Sequence, residues 1–136
     1  HVVPGLIRRF HEAKVGNLKN VTIWGSGLPL REFLYTEDMA RASIKVMNLN
    51  KKKYNKIIKP MSHINIGSGK EIAIKNLAKK IKKIVGFKGE IKFDITKPNG
   101  TSRKLTNIRR LANIGFKHKI DLKDGLEKAY KDFLKS

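Results

Sequence analysis

Residues 21–39 constrain the fold more than any other stretch. Val21-Thr22-Ile23 is a β-branched run that leads into Trp24, and Gly25-Ser26-Gly27 then lets the backbone turn sharply and approach other groups closely. Leu28-Pro29-Leu30 is a stiff corner. Arg31 to Tyr35 alternates as a second short strand, and Thr36-Glu37-Asp38 opens a helix with Thr36 as its N-cap and two acids at its positive end. A flat aromatic, a bare backbone loop and an arginine thus fall within eight residues. That combination suits a ligand with a planar ring and an anionic group. It equally suits a plain hairpin with Trp24 in the core, and local chemistry by itself favours the hairpin, because an aromatic at a strand end is usually packing.

The rest of the chain keeps the same short rhythm. Leu6, Ile7, Phe10 and Ala13 recur at helical spacing behind Pro4, which predicts a helix from Val3 to Val15. On that helix Arg8 points away from the stripe, whereas Arg9 falls about 60° from Leu6, at the edge of the buried face. Gly16 to Asn20 reads as a loop. A helix from Glu37 to Leu49 carries Met39, Ala40, Ala42, Val46 and Met47 as its expected buried stripe, and Asn50 to Pro60 reads as a solvated lysine-rich loop. His63-Ile64-Asn65-Ile66 alternates as a strand closed by Gly67-Ser68-Gly69. Ile74, Leu77, Ala78, Ile81, Ile84 and Val85 follow i, i+3, i+4, i+7 spacing up to a Gly86 stop. A strand at Glu90–Asp94, a polar loop at Thr96–Lys104, a short helix at Asn107–Asn113 and a last helix at Leu122–Leu134 complete the pattern. The last helix is expected to bury Leu126, Ala129, Tyr130 and Phe133. Alternating short strands and helices make the fold class α/β or α+β, without internal repeats.

Composition removes several function classes. A length of 136 residues suits one domain with a real core, and a hydrophobic fraction of 40% argues against disorder. There is no apolar run long enough to cross a bilayer, so no membrane role is expected. The absence of cysteine removes disulfides and thiolate metal sites and fits a reducing, cytoplasmic setting. The net charge of +20 raises the possibility of nucleic acid or another polyanion, but most of it is lysine on outward helix faces such as Lys75, Lys79, Lys82 and Lys83. Arginine, the better reader of phosphates and bases, is scarce, which argues against nucleic acid. The chain opens at His1, directly before a helix signal, and is expected to be a piece of a longer protein.

Familiar motifs fail on inspection. A Walker loop ending at Gly69-Lys70 needs glycine at 64 and Ser or Thr at 71, where Ile64 and Glu71 stand; the dinucleotide fingerprint needs glycine at 72, where Ile72 stands. His1, His11, His63 and His118 have no paired ligand spacing, so no metal is expected. Aromatics are too dispersed for a nucleobase-stacking platform. What the residues leave is a basic α/β chain with Arg9 and Arg31 as candidate anion contacts, Trp24 nearby and a polar loop at 96–104.

Four blocks go further: His1-Val-Val-Pro-Gly-Leu-Ile-Arg-Arg-Phe-His-Glu-Ala, Trp24 to Met39, Ser62-His-Ile-Asn-Ile-Gly-Ser-Gly, and Lys97-Pro-Asn-Gly-Thr-Ser-Arg-Lys-Leu. Together they resemble the C-terminal part of the GDP-L-fucose synthase family within the extended short-chain dehydrogenases/reductases. That family comprises 3,5-epimerase/4-reductases acting on GDP-4-keto-6-deoxy-D-mannose. The first block and the Lys97 loop are the specific ones; Arg-Glu-Phe-Leu and Glu-Asp-Met are shared widely. The resemblance implies a substrate-binding portion of an NADP(H)-dependent, cytoplasmic, homodimeric enzyme whose Rossmann domain, Ser-Tyr-Lys reductase residues and epimerisation cysteine lie outside this chain. Indeed no Tyr-x-x-x-Lys is present at Tyr35, Tyr54 or Tyr130. It further implies that His1 is an acid in epimerisation beside the nicotinamide, and that Arg9, Trp24, Arg31, Asn99 and Lys104 bind substrate. Asn99 stands where many members have an aspartate, so its contact would differ. The rival expectations are a related epimerase or reductase using another nucleotide, and a non-enzymatic polyanion-binding module.

Overall fold

The computed structural model describes residues 1–60 and 63–135, so Ser62 of the third block lies outside the described residues. The elements run α1 (Val2–Val15), β1 (Asn20–Trp24), β2 (Leu30–Glu32), α2 (Thr36–Met47), α3 (Lys51–Ile58), β3 (Glu71–Ala73), α4 (Ile74–Val85), β4 (Glu90–Asp94), β5 (Arg103–Lys104), α5 (Arg109–Asn113) and α6 (Leu122–Phe133). They form two compact units where length alone suggested one. The first holds His1–Arg31, Ile72–Lys104 and Lys123–Ser136; the second holds Glu32–Glu71 and Leu105–Leu122.

In the first unit β1 and β4 run parallel, Val21 opposite Ile91 and Ile23 opposite Phe93. The apolar stripes recognised in the sequence do pack: α1 buries Leu6, Ile7, Phe10 and Ala13, and α4 buries Leu77, Ala78, Ile81 and Val85. The Phe10 and Phe87 rings meet at 5.8 Å between centroids, and full burial of such a side chain stabilises by about 2–3 kcal/mol. Gly86 ends α4 with φ +77°, a left-handed conformation in which the amide of Phe87 reaches back to the Lys82 carbonyl at 3.1 Å. Lys14 Nζ, from the last turn of α1, donates to the Val85 carbonyl at 2.9 Å and covers the same helix end. On α6 only Leu126 is fully buried; Ala129, Tyr130 and Phe133 are half-buried, with His11 against both rings.

The expected β1–β2 hairpin does not form. β1 pairs with β4, whereas β2 lies between β3 and β5 in a separate sheet, with Leu30 opposite Arg103 and Arg31 opposite Lys104 in parallel register. The backbone hydrogen bonds give the reason. Gly25 N–H donates to Asp94 O at 2.8 Å and extends the β1–β4 ladder past Trp24. The Gly27 and Pro29 carbonyls then accept the Lys75 and Ile74 amides at 2.8 and 3.0 Å, two of the amides that the first turn of α4 leaves unpaired. The segment after β1 is thereby fastened to α4 instead of folding back on β1.

The second unit packs Val46, Leu49, Ile57, Ile64, Ile66, Ile108 and Phe116 around Ala42, Leu111 and Ile114. Several expectations change here. Tyr35, not Thr36, occupies the N-cap of α2, without a side-chain cap. The buried line of α2 is Asp38, Ala42 and, in part, Val46; Met39, Ala40 and Met47 are exposed. The stretch expected to be a loop at 50–60 contains α3, because Asn50 Oδ1 caps it by accepting the Lys53 amide at 2.8 Å and Ile57 finds the core. His63 to Ile66 form no strand. Ile64 and Ile66 still pack inward, but the glycine turn that follows is held by a side chain instead of a ladder.

That side chain is Glu32. Its carboxylate accepts the Gly69 amide at 2.5 Å and the Thr106 amide at 2.8 Å. Burial alone would raise its pKa, but the Thr106, Gly69 and Ser68 hydrogen bonds outweigh that and hold it below the ordinary value. Asp38 is the second such anchor. It is fully buried and accepts the Ile120 amide at 2.8 Å and the Lys119 amide at 3.0 Å, with the Arg41 guanidinium alongside. Burial again pushes up, and the Ile120 and Lys119 bonds with the Arg41 charge prevail and lower it.

Candidate functional site

Within the first unit, the 24–31 segment and the 94–104 segment are joined along their length. Asp94 ends β4 and turns the chain outward by accepting from the Thr96 amide at 3.1 Å and the Thr96 hydroxyl at 2.5 Å. Lys97 then lies over the Trp24 ring, its Nζ 5.7 Å from the centroid, in cation–π range. Asn99 Oδ1 accepts both the Ser26 amide at 2.7 Å and the Ser26 hydroxyl at 2.9 Å. Ser26 Oγ in turn accepts the Leu28 amide at 3.2 Å. Leu30 N–H donates to Ser102 O at 2.9 Å, where the β2–β5 pairing begins.

Gly25 is required at this junction. Its φ is +79°, and a Cβ there would collide with the Asn99 side chain at 2.5 Å. Trp24 is 65% exposed, so it is not the core residue of a hairpin. Its backbone belongs to β1, but its side chain is left facing outward beside Lys97. Arg31 is half-buried and donates through Nη1 to the Leu30 carbonyl at 2.7 Å, which fixes the guanidinium while leaving other donors of its fork. Lys104, directly opposite Arg31 in register, shares its face of the sheet and is exposed. Gly100 borders the same guanidinium, since a Cβ on it would lie 3.9 Å from Arg31 Nη2.

The fold therefore brings together four of the six residues singled out in the sequence: Trp24, Arg31, Asn99 and Lys104. His1, at the N-cap of α1, and Arg9, on its surface, are both exposed, and neither forms a hydrogen bond or ion pair with these two segments among the described residues. Two participants escaped the sequence reading. Ser26, taken there as backbone geometry only, uses its hydroxyl and amide together; its position between two glycines was the available signal. Lys97 supplies a cation to the Trp24 ring, and nothing in its sequence neighbourhood specifies that partner. The two joined segments carry an aromatic ring and three cations, Lys97 over Trp24 and Arg31 opposite Lys104, while Asp94 is engaged with Thr96. Groups of these kinds suit a ligand carrying a planar ring and a polyphosphate. Among the described residues no group of three His, Asp or Glu side chains is placed to hold a metal, and no helix is long and apolar enough to cross a membrane.

The NAD dependent epimerase/dehydratase family model matches residues 1–67. GDP-L-fucose synthase of Escherichia coli K12 is 49% identical over 137 aligned positions, which take in 100% of this chain and 43% of that protein. GDP-L-fucose synthase 1 of Arabidopsis thaliana is 45% identical, with 100% and 40% covered. Among solved structures, a GDP-mannoheptose C4 reductase from Campylobacter jejuni with NADP bound superposes with a TM-score of 0.86 at 37% identity, covering 98% of this chain and 45% of that one. The chain spans about two fifths of the length of the curated relatives it matches. The likeness runs through the whole chain in sequence and in fold: residues 1–67 match the NAD dependent epimerase/dehydratase family model, and the full 136 residues are similar to the corresponding part of the GDP-L-fucose synthases.

Proposed function

We propose that this chain is the C-terminal, substrate-binding portion of a GDP-L-fucose synthase. The whole protein would epimerise C3 and C5 of GDP-4-keto-6-deoxy-D-mannose and then reduce C4 with NADPH, as a cytoplasmic homodimer. The observation that carries the reading is the 49% identity over the whole of this chain to 43% of such an enzyme, supported by the pairing of Arg31 with Lys104 and by the exposed Trp24 ring.

Each residue has a role that suits its chemistry. Arg31 and Lys104 would neutralise the GDP pyrophosphate, Arg31 through a paired donor fork. Trp24 would offer its ring to the nucleotide, and Arg9 would reach the sugar and phosphate from α1. Epimerisation beside the keto group removes a proton from one face and needs another delivered to the opposite face. An imidazole can deliver it, and His1 is the residue assigned to that step. The cofactor supplies hydride to C4. These 136 residues do not themselves fit a dinucleotide, since Ile72 replaces the glycine that the pyrophosphate turn requires and no Tyr-x-x-x-Lys occurs. NADP(H) would thus be held by other residues of the whole protein, with His1 at its edge.

The test is turnover of GDP-4-keto-6-deoxy-D-mannose by the whole protein with NADPH, with the product sugar identified by NMR. GDP-L-fucose is the expected product. Reduction without inversion at C3 and C5 would make the protein a C4 reductase like the Campylobacter relative, and a preference for UDP or dTDP sugars would move it to another branch of the family. Tight nucleic-acid binding with a steep salt dependence and no GDP-sugar turnover would make it a polyanion-binding protein.

A further inference from the structure

We propose that Asn99 is a positioning residue, which braces the 25–27 turn through Ser26 so that Trp24 and Arg31 address one ligand. The inference rests on the nucleotide-sugar reading above, but its geometry does not. Asn99 Oδ1 receives two hydrogen bonds from Ser26, at 2.7 and 2.9 Å. The orientation of its amide follows from chemistry: the Ser26 backbone N–H only donates, so the atom facing it is the oxygen. With both Ser26 donors converging on that oxygen, Asn99 acts through the turn.

Backbone bonds hold the two ends of the turn, Gly25 to Asp94 and Gly27 to Lys75, and Asn99 adds a side-chain anchor at its middle residue. Gly25 and Gly27 lack side chains and both sit at positive φ, +79° and +70°, so between those two bonds Ser26 is the residue whose side chain and amide can be held. Ser26 passes the restraint onward by accepting the Leu28 amide at 3.2 Å. Trp24 lies immediately before the anchored turn and Arg31 shortly after it, and the neighbouring Gly100 borders the Arg31 guanidinium. An aspartate at position 99 could accept the same two bonds, whereas alanine could accept neither. A residue acting by position should therefore be replaceable by Asp and not by Ala.

The experiment compares Asn99→Ala and Asn99→Asp in the whole protein, reading amide hydrogen exchange at Ser26 and Leu28 and affinity for GDP. In Asn99→Ala, exchange at both amides should accelerate and GDP should bind about tenfold more weakly, the loss expected when one orienting contact is removed. In Asn99→Asp, protection should return and affinity should come within about threefold of wild type. Unchanged exchange in Asn99→Ala would overturn the proposal. So would Asn99→Asp recovering protection without affinity, because bracing the turn through Ser26 would then not be what the affinity depends on. If the wild type itself has no affinity for GDP, the functional reading fails. The ligand-free exchange at Ser26 and Leu28 in the two variants then decides the anchoring role by itself.

Discussion

Trp24 shows how little a residue type says without its neighbours. An aromatic at the end of a β-branched run is usually core, yet here the ladder continues through Gly25 and the ring stays outside, over Lys97. Arg31 is the opposite case: its backbone is paired in a sheet while its guanidinium is fixed by the Leu30 carbonyl. In the whole protein, Arg31→Ala should weaken GDP-sugar binding by about 2 kcal/mol, the lower end for a charge contact because the side chain is only half-buried. Isothermal titration with GDP checks this, and an unchanged affinity would remove Arg31 from the site. His1→Gln tests a different step. It should suppress solvent deuterium incorporation at C3 or C5 of the sugar more than it slows hydride transfer, because Gln keeps hydrogen bonding but delivers no proton. A variant that exchanges deuterium at the wild-type rate would leave His1 without a chemical role.

At the scale of elements, the helices divide into those whose stripe meets a partner within the chain and one whose stripe does not. On α2 Ala42 and Val46 pack into the core, but the apolar residues Met39, Ile44 and Met47 are 46%, 58% and 81% exposed. A stripe of that kind favours association. The 136-residue chain expressed alone should therefore sediment partly as dimers or larger species, and replacing Met39 and Met47 with Gln should shift it towards monomer. A clean monomer before substitution would count against this. For α3 the decisive residue is Asn50. Asn50→Ala removes the cap on the Lys53 amide and should cost about 1 kcal/mol, seen as a lower urea midpoint with an unchanged slope. The sequence reading passed over this helix because its lysine run resembles a solvated insertion. An N-capping asparagine followed by Tyr54 and Ile57 at helical spacing was the signal that outweighed it.

Across the molecule, the two units are stabilised differently. The first rests on stacked apolar stripes, including Phe10 against Phe87. The second has a smaller apolar core together with two carboxylates, Glu32 and Asp38, that hold distant loops through backbone amides. Both carboxyls titrate below their ordinary values in the folded chain, so each contributes stability above the unfolded carboxylate pKa of about 4, and that contribution is lost as the pH falls through the lowered folded values. On acidification from pH 6 to pH 3, amide protection should therefore fall first in residues 32–71 and 105–122. Earlier loss in α1 and α4 would contradict it.

By itself the sequence determined the helices with complete stripes. The spacing of Leu6, Ile7, Phe10 and Ala13, and of Leu77, Ala78, Ile81 and Val85, suffices because helical periodicity is local and each residue carries its own share of burial. Local chemistry also singled out Arg9, Trp24, Arg31 and the 96–104 loop as candidates, whereas His1, Asn99 and Lys104 came only from the resemblance. Tertiary structure alone decided the strand partners, since whether β1 pairs with β2 or β4 depends on which distant amides and carbonyls remain free, and no local pattern encodes that. It also decided that Trp24 stays exposed, that Glu32 holds the glycine turn near Ile66, and that Ser26 meets Asn99. Each of these is a contact between residues far apart in the chain, set by where the folded backbone leaves an unpaired group.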